Sequence, residues 1–158
     1  FIKKYKNISQ NIAHFGFSLL ILSILFNNLF SSEIITNLKV GETFEDSKTK
    51  IVFESVDQKK EHNYNAIIAN FSILNSSGEL DKLSPELRIY NQPVIATSEA
   101  DIKTTLMSDK FIVINLVQNQ DFFNVRYQVK PFMLWIWLSV ILISFAGIIS
   151  FFKKNYEK

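Results

Sequence analysis

Two stretches of the chain carry no formal charge: residues 12–30, IAHFGFSLLILSILFNNLF, and residues 131–152, PFMLWIWLSVILISFAGIISFF. Each matches the ~20 apolar residues that a helix needs to cross a hydrocarbon core, so each predicts a transmembrane helix. The first is longer than the ~7–15-residue apolar region of a secretory signal, and no small-x-small cleavage pattern follows it. Between the two runs the periodicity changes from helical to alternating. Thr49, Ile51, Phe53 and Ser55 alternate with Lys50, Val52, Glu54 and Val56, a half-buried strand pattern. Residues 64–74 (YNAIIANFSIL) are β-rich without proline or glycine, and 111–117 (FIVINLV) and 122–129 (FFNVRYQV) flank 118–121 as the arms of a hairpin. Glu45-Asp46-Ser47 and Asn75-Ser76-Ser77-Gly78 have turn chemistry, and Pro85 and Pro93 mark edges or breaks. Residues 80–108 give the weakest pattern and are expected to hold short strands and irregular connections. Six or so strands in about a hundred residues predict a small antiparallel barrel or sandwich.

The expected organisation is a tail (1–11), a transmembrane helix (12–30), a β domain (31–130), a second transmembrane helix (131–152) and a second tail (153–158). Charge placement orients it. Lys3, Lys4 and Lys6 precede the first run, and Lys153, Lys154 and Lys158 follow the second. The segment 31–130 carries 11 basic and 14 acidic residues, so the surplus of positive charge sits in the tails. The positive-inside rule then puts both tails in the cytoplasm of a bacterial inner membrane. The β domain lies in the periplasm, or in the intermembrane space if the membrane is the mitochondrial inner one. Trp135 and Trp137 fall at the outer end of the second run, where an aromatic belt belongs.

Composition excludes several chemistries. Of 158 residues none is cysteine, which removes disulfides, thiol nucleophiles and thiolate metal sites. Two histidines leave no room for an all-protein zinc site. A net charge of +2 does not argue for nucleic acid, although a mean hydropathy of +0.11 is high for a water-soluble domain. His14 is the outstanding residue. An ionisable group inside an apolar span needs a compensating partner, and neutral imidazole is a common haem ligand. The alternative is an interfacial histidine facing headgroups. Ser18 lies one turn on, Gly16 would let a bulky planar group approach, and Phe15 and Phe17 face that group or the lipid. His62, in Lys59-Lys60-Glu61-His62-Asn63, reads as an exposed loop, on the opposite side of the membrane from His14. Any six-coordinate haem at His14 therefore takes its second ligand from elsewhere. Glu99 and Asp101, two apart, would share a strand face but have no base partner. Arg88 could bind a propionate or an acidic partner, or pair with Glu86.

In sequence order, several motifs resemble the C-terminal part of the CcmF family, the large membrane subunit of the cytochrome c maturation (System I) haem lyase. Asn11-Ile12-Ala13-His14-Phe15-Gly16 is similar to the family's Leu-Ala-His-x-Gly, and Gly41-Glu42-Thr43 to its Gly-Asp/Glu-Ser/Thr step. Pro85-Glu86-Leu87-Arg88-Ile89-Tyr90 resembles Pro-Glu-x-Arg-x-Tyr, and Ser98-Glu99-Ala100-Asp101-Ile102 resembles Thr-Glu-Ala-x-Ile. Lys130-Pro131-Phe132 with Trp135-Ile136-Trp137 matches Lys-Pro-Phe-x-x-Trp-Ile-Trp. The resemblance implies a fragment of a haem lyase subunit that joins haem, brought by a haem chaperone, to the thiols of apocytochrome c alongside other maturation subunits. It implies that His14 is one axial ligand of a membrane haem b whose second ligand lies on a helix this chain lacks. The family's tryptophan-rich haem-handling motif and its flanking histidines are absent, and Leu138 stands where a glycine is usual. His62 falls in the family's Gly-Pro-Asn-Tyr/Trp step and matches no ligand. The first residue is Phe1, as expected of a piece of a longer protein. A reading from another class remains: a membrane-tethered β module that docks partners and has no redox role.

Overall fold

The computed structural model describes residues 8–76, 78–117 and 121–156. Among them are two helices, α1 (Ile8–Phe30) and α2 (Met133–Tyr156), and ten strands. The strands are β1 (Ser32–Leu38), β2 (Thr43–Glu45), β3 (Thr49–Lys60), β4 (Tyr64–Asn75), β5 (Leu80–Leu83), β6 (Glu86–Asn91), β7 (Val94–Glu99), β8 (Asp101–Thr104), β9 (Ser108–Leu116) and β10 (Phe123–Pro131). They form two compact units: the helices with the turn 104–109, and the strands.

Within the β unit, one sheet runs β1-β10-β9-β8 and the other β2-β3-β4-β6-β7, with β5 on β4. Two separate sheets make this a sandwich, not the barrel that the pattern left open. Alternation along the strands places Ile51, Phe53, Ala69, Phe71, Ile73, Ile112, Ile114 and Val125 in one core. Phe53 stacks on Phe71 at 4.5 Å between ring centres and takes Phe123 edge-on at 5.5 Å. Each such side chain fully withdrawn from water contributes about 1.5–3 kcal/mol. A bulge after Phe53 shifts the β3–β4 register, so that Phe53 faces Phe71 but Ser55 faces Asn70. Val56 therefore replaces Ser55 on the inner side, which the unbroken period-two pattern had assigned the other way.

Residues 80–108 are more regular than expected: β5 to β8 all lie there. β5 and β6 are two pieces of one edge along β4, broken at Pro85, whose carbonyl still accepts from the Ala69 amide at 3.0 Å. The turn at residues 75–78 closes through a Gly78 N–H to Asn75 carbonyl bond of 2.9 Å, while Ser77 lies outside the described residues. The same is true of 118–120, the centre of the expected hairpin connection between β9 and β10.

A charged cluster shares this apolar interior. Asp81 on β5 has no exposed surface and pairs with Lys110 on β9 at 2.7 Å. Lys103 on β8 also donates to Asp81, and Glu79 accepts from Lys110 at 2.7 Å. Burial opposes ionisation of Asp81, but the hydrogen bonds from Lys103 and Lys110 outweigh it and hold its carboxyl below the ordinary value of 3.8. Burial likewise disfavours charge on Lys110, yet its bonds to Asp81 and Glu79 keep it above its ordinary 10.5. Tyr127 contributes the opposite case: its buried hydroxyl has no hydrogen-bond partner among the described residues. Burial, with the nearby charges of Asp81 and Glu79, pushes its ionisation upward.

These groups predict distinct outcomes. Asp81→Ala strands the Lys110 ammonium in the interior and costs about 3 kcal/mol, the low end for a broken buried pair because Lys103 and Glu79 keep water near. Tyr127→Phe removes an unpartnered hydroxyl and is neutral or stabilising. A depressed carboxyl stabilises above its unfolded value and loses that contribution as pH falls through the folded one. Asp81 therefore adds acid sensitivity below about pH 3.8, and raised Lys110 adds alkaline sensitivity above about 10.5. Denaturant unfolding followed by circular dichroism across pH checks all three.

Candidate functional site

α1 has two unlike faces. Ser9, Gly16 and Ser23, seven residues apart, are its buried positions, and Ser139 and Ala146, again seven apart, are buried on α2. Small residues at that spacing let two helix backbones approach closely. Gly16 shows how close: a Cβ there would lie 3.0 Å from Ile143 Cγ1 and 3.3 Å from the Ser139 carbonyl oxygen. Ser139 keeps the contact dry by turning its hydroxyl onto the Trp135 carbonyl at 2.6 Å.

His14 lies on the other face. It is two residues from Gly16, about 200° around the helix, and exposed, as are Gln10, Asn11, Phe17, Ser18 and Ile21. Among the described residues it has no hydrogen-bond or ionic partner. The space at Gly16 is filled by α2, so it gives no approach for a planar group, contrary to the sequence expectation. His14 itself is exposed, with exposed Phe17 and Ser18 one turn on. An exposed imidazole is a donor that could ligate a haem iron.

The remaining candidates go to structural work. His62 is exposed in the turn between β3 and β4, as expected. Arg88 does not present a free cation: its Nε donates to Glu86 at 2.9 Å, a terminal nitrogen lies 4.0 Å from Glu99, and the guanidinium sits 5.2 Å from the Tyr64 ring centre. The hydrogen bond to Glu86, chiefly, holds Arg88 above its ordinary value. Glu86 and Glu99 are cross-strand partners, so Arg88 neutralises two carboxylates that would repel. That arrangement removes the basis for a propionate site at Arg88. Glu99 and Asp101 do not share a strand face: β7 ends at Glu99 and β8 begins at Asp101, where the chain passes from one sheet to the other. Asp101 instead accepts the Ser84 amide at 2.6 Å.

Sequence reasoning missed the junction at the start of α2. Pro131 ends β10, Phe132 adopts a positive φ of 60°, and its ring packs 5.3 Å from that of Phe26. Asn27 of α1 donates to the Pro131 carbonyl at 2.6 Å. The Phe132 amide donates to the Met107 carbonyl at 2.8 Å and Trp135 Nε1 to the Leu106 carbonyl at 2.9 Å. Lys-Pro-Phe-x-x-Trp was visible as a motif, but nothing local in it names Leu106 or Met107.

Two helices long and apolar enough to cross a membrane, flanking an antiparallel sandwich in the chain, define the class of this protein. The family model described as the CcmF C-terminal beta-sandwich matches residues 29–131, and the chain belongs to that family. It is 31% identical to the cytochrome c-type biogenesis protein ccl1 of Rhodobacter capsulatus, over 92% of this chain and 22% of that protein. It is 25% identical to the cytochrome c-type biogenesis protein CcmF of Pseudomonas fluorescens, over 94% of the chain and 22% of the relative. A solved structure of cytochrome c heme lyase CcmF shares the fold with a TM-score of 0.69 at 18% identity, over 94% of this chain and 25% of that one. The chain thus spans about a fifth of the length of these curated relatives.

The close approach at Gly16 predicts that Gly16→Leu forces α1 and α2 apart and costs about 1–3 kcal/mol. Gly16→Ala costs less, because the nearest atom is the movable Ile143 Cγ1. Thermal unfolding of the two variants in detergent or nanodiscs measures the order.

Proposed function

We propose that the chain is the C-terminal part of a haem lyase subunit of cytochrome c maturation, with α1 and α2 crossing the bacterial inner membrane and the sandwich in the periplasm. The observation that carries this reading is that the relatives named for cytochrome c-type biogenesis align over 92–94% of the chain, helices as well as sandwich. Length and apolar composition of both helices support the membrane assignment. Lys153 and Lys154, and the N-terminal lysines, support cytoplasmic tails. The boundaries 12–30 and 131–152 are the spans proposed, with 31–130 outside the bilayer and 1–11 and 153–158 as tails.

In this reading His14 is one axial ligand of haem b, supplied with its second ligand by the rest of the full-length protein. Haem supplies a one-electron couple when bound. His14 would hold the iron through an imidazole nitrogen, with Phe17 and Ser18 exposed one turn on. Exposure on the face turned away from α2, and the absence of any partner among the described residues, support the assignment, since a ligand already bonded within the chain would have to break that bond first. The partners proposed are a haem chaperone, apocytochrome c and the other maturation subunits. They would meet the sandwich at surfaces other than Arg88, whose charge is committed to Glu86.

His14→Ala in the full-length protein tests the site. The expected result is loss of most of the bound haem b and of its reduced-minus-oxidised spectrum, with the protein still present in the membrane. An unchanged spectrum would overturn the ligand assignment and leave the tethered docking module as the better description.

A further inference from the structure

The turn between β8 and β9 is built unlike an aqueous hairpin tip. Thr105 and Ser108 close it: the Thr105 amide and hydroxyl donate to the Ser108 carbonyl at 2.9 and 2.7 Å, and the Ser108 amide donates to the Thr105 hydroxyl at 3.1 Å. Water-facing tips favour Gly, Asn, Asp or Ser. Here the tip residues are Leu106 and Met107, 59% and 58% exposed.

Their carbonyls do not face solvent unpaired. Met107 accepts from the Phe132 amide and Leu106 from Trp135 Nε1, both at the first turn of α2. A segment can meet hydrocarbon only if its backbone polar groups are satisfied within the protein, and the tip meets that condition at these two carbonyls. The same bonds fix its position. Phe132 and Trp135 stand where the apolar span of α2 begins, next to exposed Leu134, Trp137 and Leu138. Leu106 and Met107 thus extend the apolar helix surface at the level of its aromatic belt.

We propose that the turn 105–108 dips into the membrane, with Leu106 and Met107 in the headgroup–acyl boundary of the leaflet from which the sandwich emerges. This rests on the reading of α1 and α2 as bilayer spans. Lipid is favoured over a protein partner because the tip is hydrogen-bonded to the residues at which the apolar span of α2 begins, and exposed Leu134, Trp137 and Leu138 follow them in that span. The turn then acts as a third contact with the membrane, tying the β8–β9 hairpin to the bilayer surface.

The chain has no cysteine of its own, so single labelling sites are easily introduced. Leu106→Cys and, separately, Met107→Cys are made in the full-length protein, with any cysteines elsewhere in it replaced by serine. Each carries a nitrobenzoxadiazole fluorophore in phosphatidylcholine nanodiscs containing lipids spin-labelled at shallow or deep acyl positions. Val140→Cys serves as the mid-span control and Lys60→Cys as the exposed sandwich control. Expected is about twofold or greater quenching of positions 106 and 107 by the shallow label, and less by the deep one. Val140 should respond to the deep label and Lys60 to neither. Positions 106 and 107 behaving like Lys60 while Val140 is quenched would overturn the membrane contact and leave the spans standing. An unquenched Val140 would overturn the span reading itself.

Discussion

The pairing of β1 with β10 is the constraint on which the rest depends. β1 begins at Ser32, two residues after α1 ends, and β10 runs to Pro131, two residues before α2 begins. Their antiparallel ladder, from Ser32↔Val129 to Leu38↔Phe123, brings the end of one helix and the start of the other to neighbouring points. Helices delivered together in this way need only a compatible face, and the small residues Ser9, Gly16 and Ser23 against Ser139 and Ala146 supply it. The remaining strands lie in the interval of sequence between β1 and β10, so the sandwich is an insertion in the chain between the two helices.

The β unit combines two kinds of interior with different demands. The Phe53–Phe71–Phe123 stack is non-directional and tolerates approximate fit, as apolar burial does. The Asp81–Lys110 pair is directional and costly unless complete, and it joins β5 of one sheet to β9 of the other. A one-residue slip of β5 would turn buried Leu83 outward as well as displace Asp81. The buried carboxylate would lose its partners in such a slip, so the pair specifies register where only four residues pair.

How much of this the chain disclosed beforehand follows from what each element depends on. Residues 64–74 and 122–129 were legible as strands because alternation and β-branched content are local, and the two apolar runs because their length is local. The bulge after Phe53 was not, since it exists only as a register difference between β3 and β4. β5 to β8 were underestimated because they are four to six residues long and carry charged side chains that look like loop sequence. Nothing local in the sequence names Lys110 as the partner of Asp81, because the two lie 29 residues apart. Gly16 was noticed, but its role was reversed, because helical periodicity gives the angle between Gly16 and His14 without saying which face meets α2.

The residues that carried the family resemblance then divide by what they do. Gly41 holds a φ of 86° in the turn from β1 to β2, and its amide reaches the Phe53 carbonyl at 2.8 Å. Pro85 breaks an edge strand, Arg88 neutralises Glu86 and Glu99, Asp101 caps Ser84, and Trp135 secures Leu106. Each is explained by a partner inside the chain. His14 has none among the described residues, and its exposed face carries Gln10, Asn11 and Ser18 as well as Phe17 and Ile21. Among these motif residues His14 is the one turned outward without a partner among the described residues, whereas Gly41, Arg88, Asp101 and Trp135 each hold another part of the chain.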